Sequence, residues 1–190
     1  MIRRWRLMAA AAVLAAAMAS CTSSGDTRSD GPFGNGGTPG AHCVVAQPGQ
    51  VRTDGDQFFQ NSGSQARIRS LSLAGDHGIE LLRSWIVRIT GNTLYGNWAG
   101  WPVNRPQLRG VHWDTRQAAV GASVPPVSGK DGYNIVLAIS LAPGRREGWA
   151  RGISVHYSTG SQDYILLTAT RIEIVTKFSL CGSLMKRVGI

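Results

Sequence analysis

The chain has 190 residues, with 20 Lys and Arg against 11 Asp and Glu, a formal charge of +9 and 43% hydrophobic residues. That length and apolar fraction predict one domain with a sizeable core, and exclude a wholly disordered chain. Despite the positive charge there is no RNP, zinc-finger or basic-helix pattern, so nucleic acid is not an expected partner.

In chain order, the first feature is a leader. Arg3, Arg4 and Arg6 precede the uncharged apolar run from Leu7 to Ala19, which closes on Met18-Ala19-Ser20-Cys21. A positive head, a short apolar segment and small residues at the end predict a secretory signal peptide over residues 1–20, too short to span a bilayer comfortably. An Ala-rich helix opening a cytosolic domain is the competing reading; three arginines on one side and the switch to Ser, Thr, Gly and Asp after Cys21 argue against it. Arg3-Arg4 also invites a twin-arginine reading, but its flanks match poorly and general secretion fits better.

Small residues ending on a cysteine resemble the lipobox of bacterial lipoproteins. The resemblance implies lipid on the Cys21 sulfur, cleavage just before it and a palmitate-type acyl chain on the new amino terminus. It also implies a cell-membrane location, lipid-anchored on the extracytoplasmic face. Losing residues 1–20 removes three arginines and no acid, leaving 17 basic residues against 11 acidic ones, a balance of +6, with 14 of the 17 being arginine. Such a surface is drawn to anionic lipid headgroups or cell-wall polymers. A solvated basic surface with no partner, or one that meets a protein, remains the alternative.

With Cys21 assigned to lipid, Cys43 and Cys181 are left as an even pair in an exported protein. An oxidising compartment favours a disulfide between them, two buried free thiols being the alternative. Residues 21–40 are read as the lipidated cysteine and a flexible tether: Thr22 to Gly40 is Ser, Thr, Gly, Asp and Pro with Phe33 as its only large apolar residue. Residues 41–190 form the folded domain.

Period-2 alternation dominates that domain. Ile79, Leu81, Trp85, Val87 and Ile89 share a parity, with Arg83 the exception. Tyr133, Ile135, Leu137, Ile139 and Leu141 repeat the pattern up to Pro143-Gly144. Trp149, Arg151, Ile153, Val155 and Tyr157 do so again, and Ser158 to Ser161 turn into Tyr164 to Thr170, with Ile172 and Ile174 beyond. The alternation in Arg67 to Leu73 slips between Ile68 and Leu71, which predicts a bulge. Val44 to Ala46 and Val111 to Trp113 complete the set. No window predicts an amphipathic helix, and 24 glycines and 8 prolines punctuate the strands.

The expected fold is therefore all-β, an antiparallel β-sandwich of about seven or more strands. Trp85 on a central strand and the Trp149-to-Tyr157 hairpin resemble immunoglobulin-like domains of exported actinobacterial proteins, although the two cysteines sit at the domain ends rather than mid-domain. Gly91 to Gly132 is too long for a hairpin connection, and predicts an edge strand or two and a long loop.

Catalytic patterns are lacking: there is no G-x-S-x-G elbow, no H-E-x-x-H and no P-loop, and no catalytic residue is assigned. Asp54-Gly55-Asp56 begins like a calcium loop, but Phe58 stands where a third oxygen ligand is required, and turn chemistry explains Asp-Gly more cheaply. His42, His77, His112 and His156 lie more than 30 residues apart, so only the fold can bring them together. No metal or cofactor is expected.

Tyr95, Trp98 and Trp101, with Trp113, Arg105 and Arg109 nearby, form the candidate binding surface, because aromatic rings and arginines on loops serve as anchors for ligands and partners. The bland reading folds these rings back to close an open end of the sandwich. The expected function is non-enzymatic binding or scaffolding at the outer face of the membrane. The alternative is a secreted hydrolase or accessory enzyme whose site is assembled only in the fold.

Overall fold

Tyr133, Ile135, Leu137, Ile139 and Leu141, alternating with smaller residues in Gly132–Leu141, build the strand on which the rest is laid. The computed structural model describes residues 27–34, 40–91, 93–101 and 108–181. The elements are β1 (Phe33–Gly34), β2 (Ala41–Val45), β3 (Arg52–Asn61), β4 (Ala66–Ala74), β5 (Ile79–Ile89), β6 (Gly96–Ala99) and β7 (Val111–Ala118). They continue as β8 (Ser123–Val124), β9 (Gly132–Leu141), β10 (Glu147–Ala150), β11 (Gly152–Thr159), β12 (Gln162–Leu167) and β13 (Arg171–Val175). Every residue of β9 is buried.

β9 lies antiparallel between β3 and β5 in a sheet ordered β1-β3-β9-β5-β7, with β6 also paired to β3. A second sheet runs β12-β11-β4-β8, and a third runs β10-β13-β2 with β13 and β2 parallel. One apolar core joins all three sheets through Ile68, Ile86, Leu137, Ile139, Ile153 and Ile174. The chain is thus an all-β, immunoglobulin-like sandwich whose large sheet is covered on its inner face by the two smaller ones. Burying a Leu or Ile side chain contributes about 1.5–3 kcal/mol, so this core dominates the stability.

Bulges set which side chains face inward. The expected slip in β4 falls at Arg69, since Tyr157 pairs with Ile68 and His156 with Ser70. A second bulge, at Leu82, corrects the single buried face expected of β5: Leu81 pairs with Ile139 and Arg83 with Ala138. Inserting one residue reverses the parity. Ile79, Leu81 and Ile86 therefore enter the main core, whereas Trp85, Val87 and Ile89 face the opposite side of the sheet.

The amino-terminal stretch also differs from expectation. Part of the expected tether is docked: Arg28 N–H donates to Asp163 O at 3.2 Å, and Ile165 N–H donates to Arg28 O at 2.8 Å. Phe33 is buried, stacked on Tyr157 with centroids 3.7 Å apart, and its N–H donates to the Tyr157 hydroxyl at 3.1 Å. Gly31 permits the approach, because a Cβ there would collide with the Tyr157 and Tyr164 side chains. One apolar ring and a few hydrogen bonds thus order a polar segment. Residues 1–20, and Cys21 with its expected lipid, lie outside the described residues.

Cys43 on β2 and Cys181 are joined by a disulfide with Cα atoms 5.9 Å apart, closing a separation of 138 residues. The bridge fastens the start of the small sheet to the segment that follows β13.

Candidate functional site

The aromatic stretch supplies β6 and β7, the edge strands anticipated between Gly91 and Gly132, and folds over the outer face of the large sheet. There Tyr95, Val111 and Trp113 meet Val87, Ile89 and Val136 in a second core. Tyr95 and Trp113 are buried and stack with centroids 4.8 Å apart; Trp101 lies 4.6 Å from Trp85. The Arg116 guanidinium sits over the Trp85 and Trp113 rings at 5.7 and 5.2 Å. Trp98 donates its indole N–H to Tyr95 O at 2.8 Å.

Of the expected binding surface, then, Tyr95 and Trp113 are buried. Trp98 and Trp101 are half-buried rims of the same cluster, Arg109 is exposed, and Arg105 lies outside the described residues. The same stretch seals the face that the β5 bulge leaves apolar.

A constellation that the sequence spacing hides stands between β2 and β3. Asp54-Gly55-Asp56 is not a turn but the middle of a central strand. β3 bulges between Asp54 and Gln57 against β9, and β6 crosses closely beside it: a Cβ on Gly55 would lie 2.5 Å from the Tyr95 Cβ. Glycine is required there by proximity, not by turn geometry.

His42, on β2, faces both acids, its Nε2 at 3.3 Å from Asp54 Oδ1 and its Nδ1 at 3.5 Å from Asp56 Oδ2. The Asp54 side chain is 0% exposed, and those of His42 and Asp56 are 17% and 20% exposed. Supporting donors surround the carboxylates. Asp54 accepts from the Asp56 backbone N–H at 3.2 Å and from Gln57 Nε2 at 3.3 Å, and Asn97 Nδ2 donates to Asp56 Oδ2. Gln57 also donates to Thr170 O at 3.2 Å and accepts from the Thr168 hydroxyl at 2.6 Å, which in turn accepts from Ile153 N–H at 2.9 Å. The network orients Asp54 from behind, through groups held on four strands or their ends.

Burial pushes the Asp54 carboxyl above its usual range, against the pull of His42. The neighbouring Asp56 charge pushes it further the same way. The charged groups that act on this buried acid are thus one imidazole and one further acid.

A third feature is electropositive. Gln47, Pro48, Gly144, Arg145, Arg146, Thr176, Lys177 and Leu180 line a groove of about 530 Å³ with three cationic side chains and no acid. Its wall is held where Thr176 N–H donates to Arg146 O at 2.9 Å. A smaller groove of about 230 Å³ between β5, β7 and the Pro125-Pro126 segment carries Arg88 and Tyr133. Neither groove is lined by His42, Asp54 or Asp56.

No protein-family model, no curated protein and no solved structure matches this chain. Two carboxylates at i and i+2 of a strand share a face, the one sequence signal that would have flagged Asp54 and Asp56 had β3 been recognised as a strand.

Proposed function

We propose that the chain is a cell-envelope lipoprotein, held at the outer face of the membrane through lipid on Cys21, whose sandwich is a non-enzymatic module that binds an anionic envelope surface. The observation that carries the binding half is the acid-free groove bearing Arg145, Arg146 and Lys177. Three cations in one concavity raise the local concentration of phosphate-type anions, an attraction that salt screens. The anchoring half rests on the charged head, apolar run and Met18-Ala19-Ser20-Cys21 ending.

The hydrolase alternative draws on the His42, Asp54 and Asp56 cluster. Against it, Asp54 offers no surface to a substrate, and the three residues line neither groove.

Both halves are tested in fractionated cells and with vesicles. Cys21→Ser should move the protein out of the membrane fraction or leave it unprocessed; equal membrane retention overturns the anchor. Each basic residue near an anionic surface contributes about 1 kcal/mol, so replacing Arg145, Arg146 and Lys177 by Ala should weaken binding to anionic vesicles by roughly a hundredfold. Binding that is equal on zwitterionic vesicles, or indifferent to the triple change, overturns the surface reading.

A further inference from the structure

The geometry points to a binding site for a first-row divalent cation of the zinc or manganese class, formed by His42, Asp54 and Asp56 where β2 meets β3. One ligand atom from each of the three residues lies within 4.8 Å of the other two. Zinc-type bonds to imidazole nitrogen and carboxylate oxygen are about 2.0–2.2 Å long, so any two ligands on a tetrahedral ion stand about 3.4 Å apart. One imidazole binds a given ion through a single nitrogen: His42 Nε2, 3.3 Å from Asp54 Oδ1, stands at that spacing. The 3.5 Å contact of Asp56 is with the other ring nitrogen, so its carboxylate has to swing toward the ion from within the 4.8 Å limit of the cluster.

Hydrogen bonding among the three residues does not account for this arrangement. His42 Nε2 is a buried atom that makes no hydrogen bond, although Asp54 Oδ1 is 3.3 Å away. A buried ring nitrogen that makes no hydrogen bond beside a carboxylate oxygen leaves its lone pair open to a metal ion. A neutral imidazole carries one N–H, yet both ring nitrogens face a carboxylate oxygen. When ionised, Asp54 and Asp56 bring two negative charges to a largely dehydrated place, and among the described residues their ion pairs are with His42 alone. An imidazolium would offset one of those charges; a divalent cation offsets both.

The ligand chemistry narrows the ion. Calcium takes six to eight oxygens and copper(I) takes sulfur, whereas one imidazole with two carboxylates suits zinc, manganese and their neighbours. Outer partners are already in place: Gln57 and the Asp56 N–H on Asp54, and Asn97 on Asp56. His42 and Asp56 retain some exposure, so the ion enters past them, with water completing its coordination.

The test uses the untagged mature chain, stripped with a chelator and dialysed separately against Zn²⁺, Mn²⁺, Co²⁺ and Ca²⁺. Zn²⁺ or Mn²⁺ should bind at one ion per chain and raise the melting temperature, and Co²⁺ should show the visible bands of a nitrogen–oxygen site. His42→Gln, Asp54→Asn and Asp56→Asn should each weaken binding by at least about tenfold while circular dichroism still reports a folded sandwich. If Asp54→Asn does not fold, loss of the Co²⁺ spectrum in His42→Gln, at a ligand more exposed than Asp54, carries the decision. A folded wild-type chain that takes up no ion at millimolar concentration overturns the proposal, as does a preference for Ca²⁺ or full retention of metal by the variants.

Discussion

Trp113→Ala is the sharpest perturbation of the aromatic cover on the large sheet. The ring is 7% exposed, stacked on Tyr95 at 4.8 Å, edge-on to Trp85 at 5.4 Å, and capped by Arg116 at 5.2 Å. Truncating a buried Trp to Ala costs about 3–5 kcal/mol, through lost transfer energy and the cavity left behind. The two aromatic pairs and the cation contact are contained in that range rather than added to it, because truncation removes them together. For a domain of this size each kcal/mol moves the melting temperature by roughly 2–4 °C, so the shift should be on the order of 10 °C. Urea denaturation followed by far-ultraviolet circular dichroism gives the free energy, and Trp98→Ala serves as the comparison because that ring is only half-buried. A loss below about 1 kcal/mol for Trp113→Ala would be the value of a surface residue, and would refute the second core. A loss for Trp98→Ala as large as that for Trp113→Ala would refute the distinction between rim and centre.

Reduction of the Cys43–Cys181 bridge releases a separation of 138 residues, worth about 5 kcal/mol in chain entropy. The urea midpoint should fall steeply in reductant, and an unchanged midpoint refutes the bridge as a stabilising element. Burial pushes the Tyr157 phenol above its ordinary value, so its neutral form is the one the fold prefers. Its contribution is complete below about pH 10 and is lost as pH rises through the folded value. Stability should therefore decline on the alkaline side, and Tyr157→Phe should flatten that decline; an equally steep decline in the variant sinks the reasoning.

Strands buried through alternating apolar residues were legible in the sequence, and so was the β4 slip, because Ile68 and Leu71 cannot share a face without an extra residue between them. β3 was not. Its central residues, Thr53, Asp54, Gly55, Asp56 and Gln57, show no apolar alternation, since their burial is satisfied by hydrogen bonds and not by packing. Asp-Gly also carries a strong turn signal, which here is overruled by the close passage of Tyr95. The β5 bulge was invisible for a different reason: Trp85, Val87 and Ile89 are apolar on an outward face, and nothing local to them announces that residues beyond Tyr95 cover it. The His42 cluster unites residues from two strands of different sheets, so sequence spacing could not disclose it.

The position of the disulfide has a mechanical consequence. Tension applied between the two ends of the chain enters at Cys43, crosses the sulfur–sulfur bond and leaves at Cys181, so it bypasses nearly every strand. The 138-residue separation locks away a contour on the order of 450 Å that a pull cannot draw out. Only the segments outside the loop can yield, and of those the Arg28-to-Phe33 stretch is held by a few hydrogen bonds and one ring. A tug from the amino-terminal side therefore peels that stretch first, as a short and recoverable slack, while the sandwich behind it bears no load.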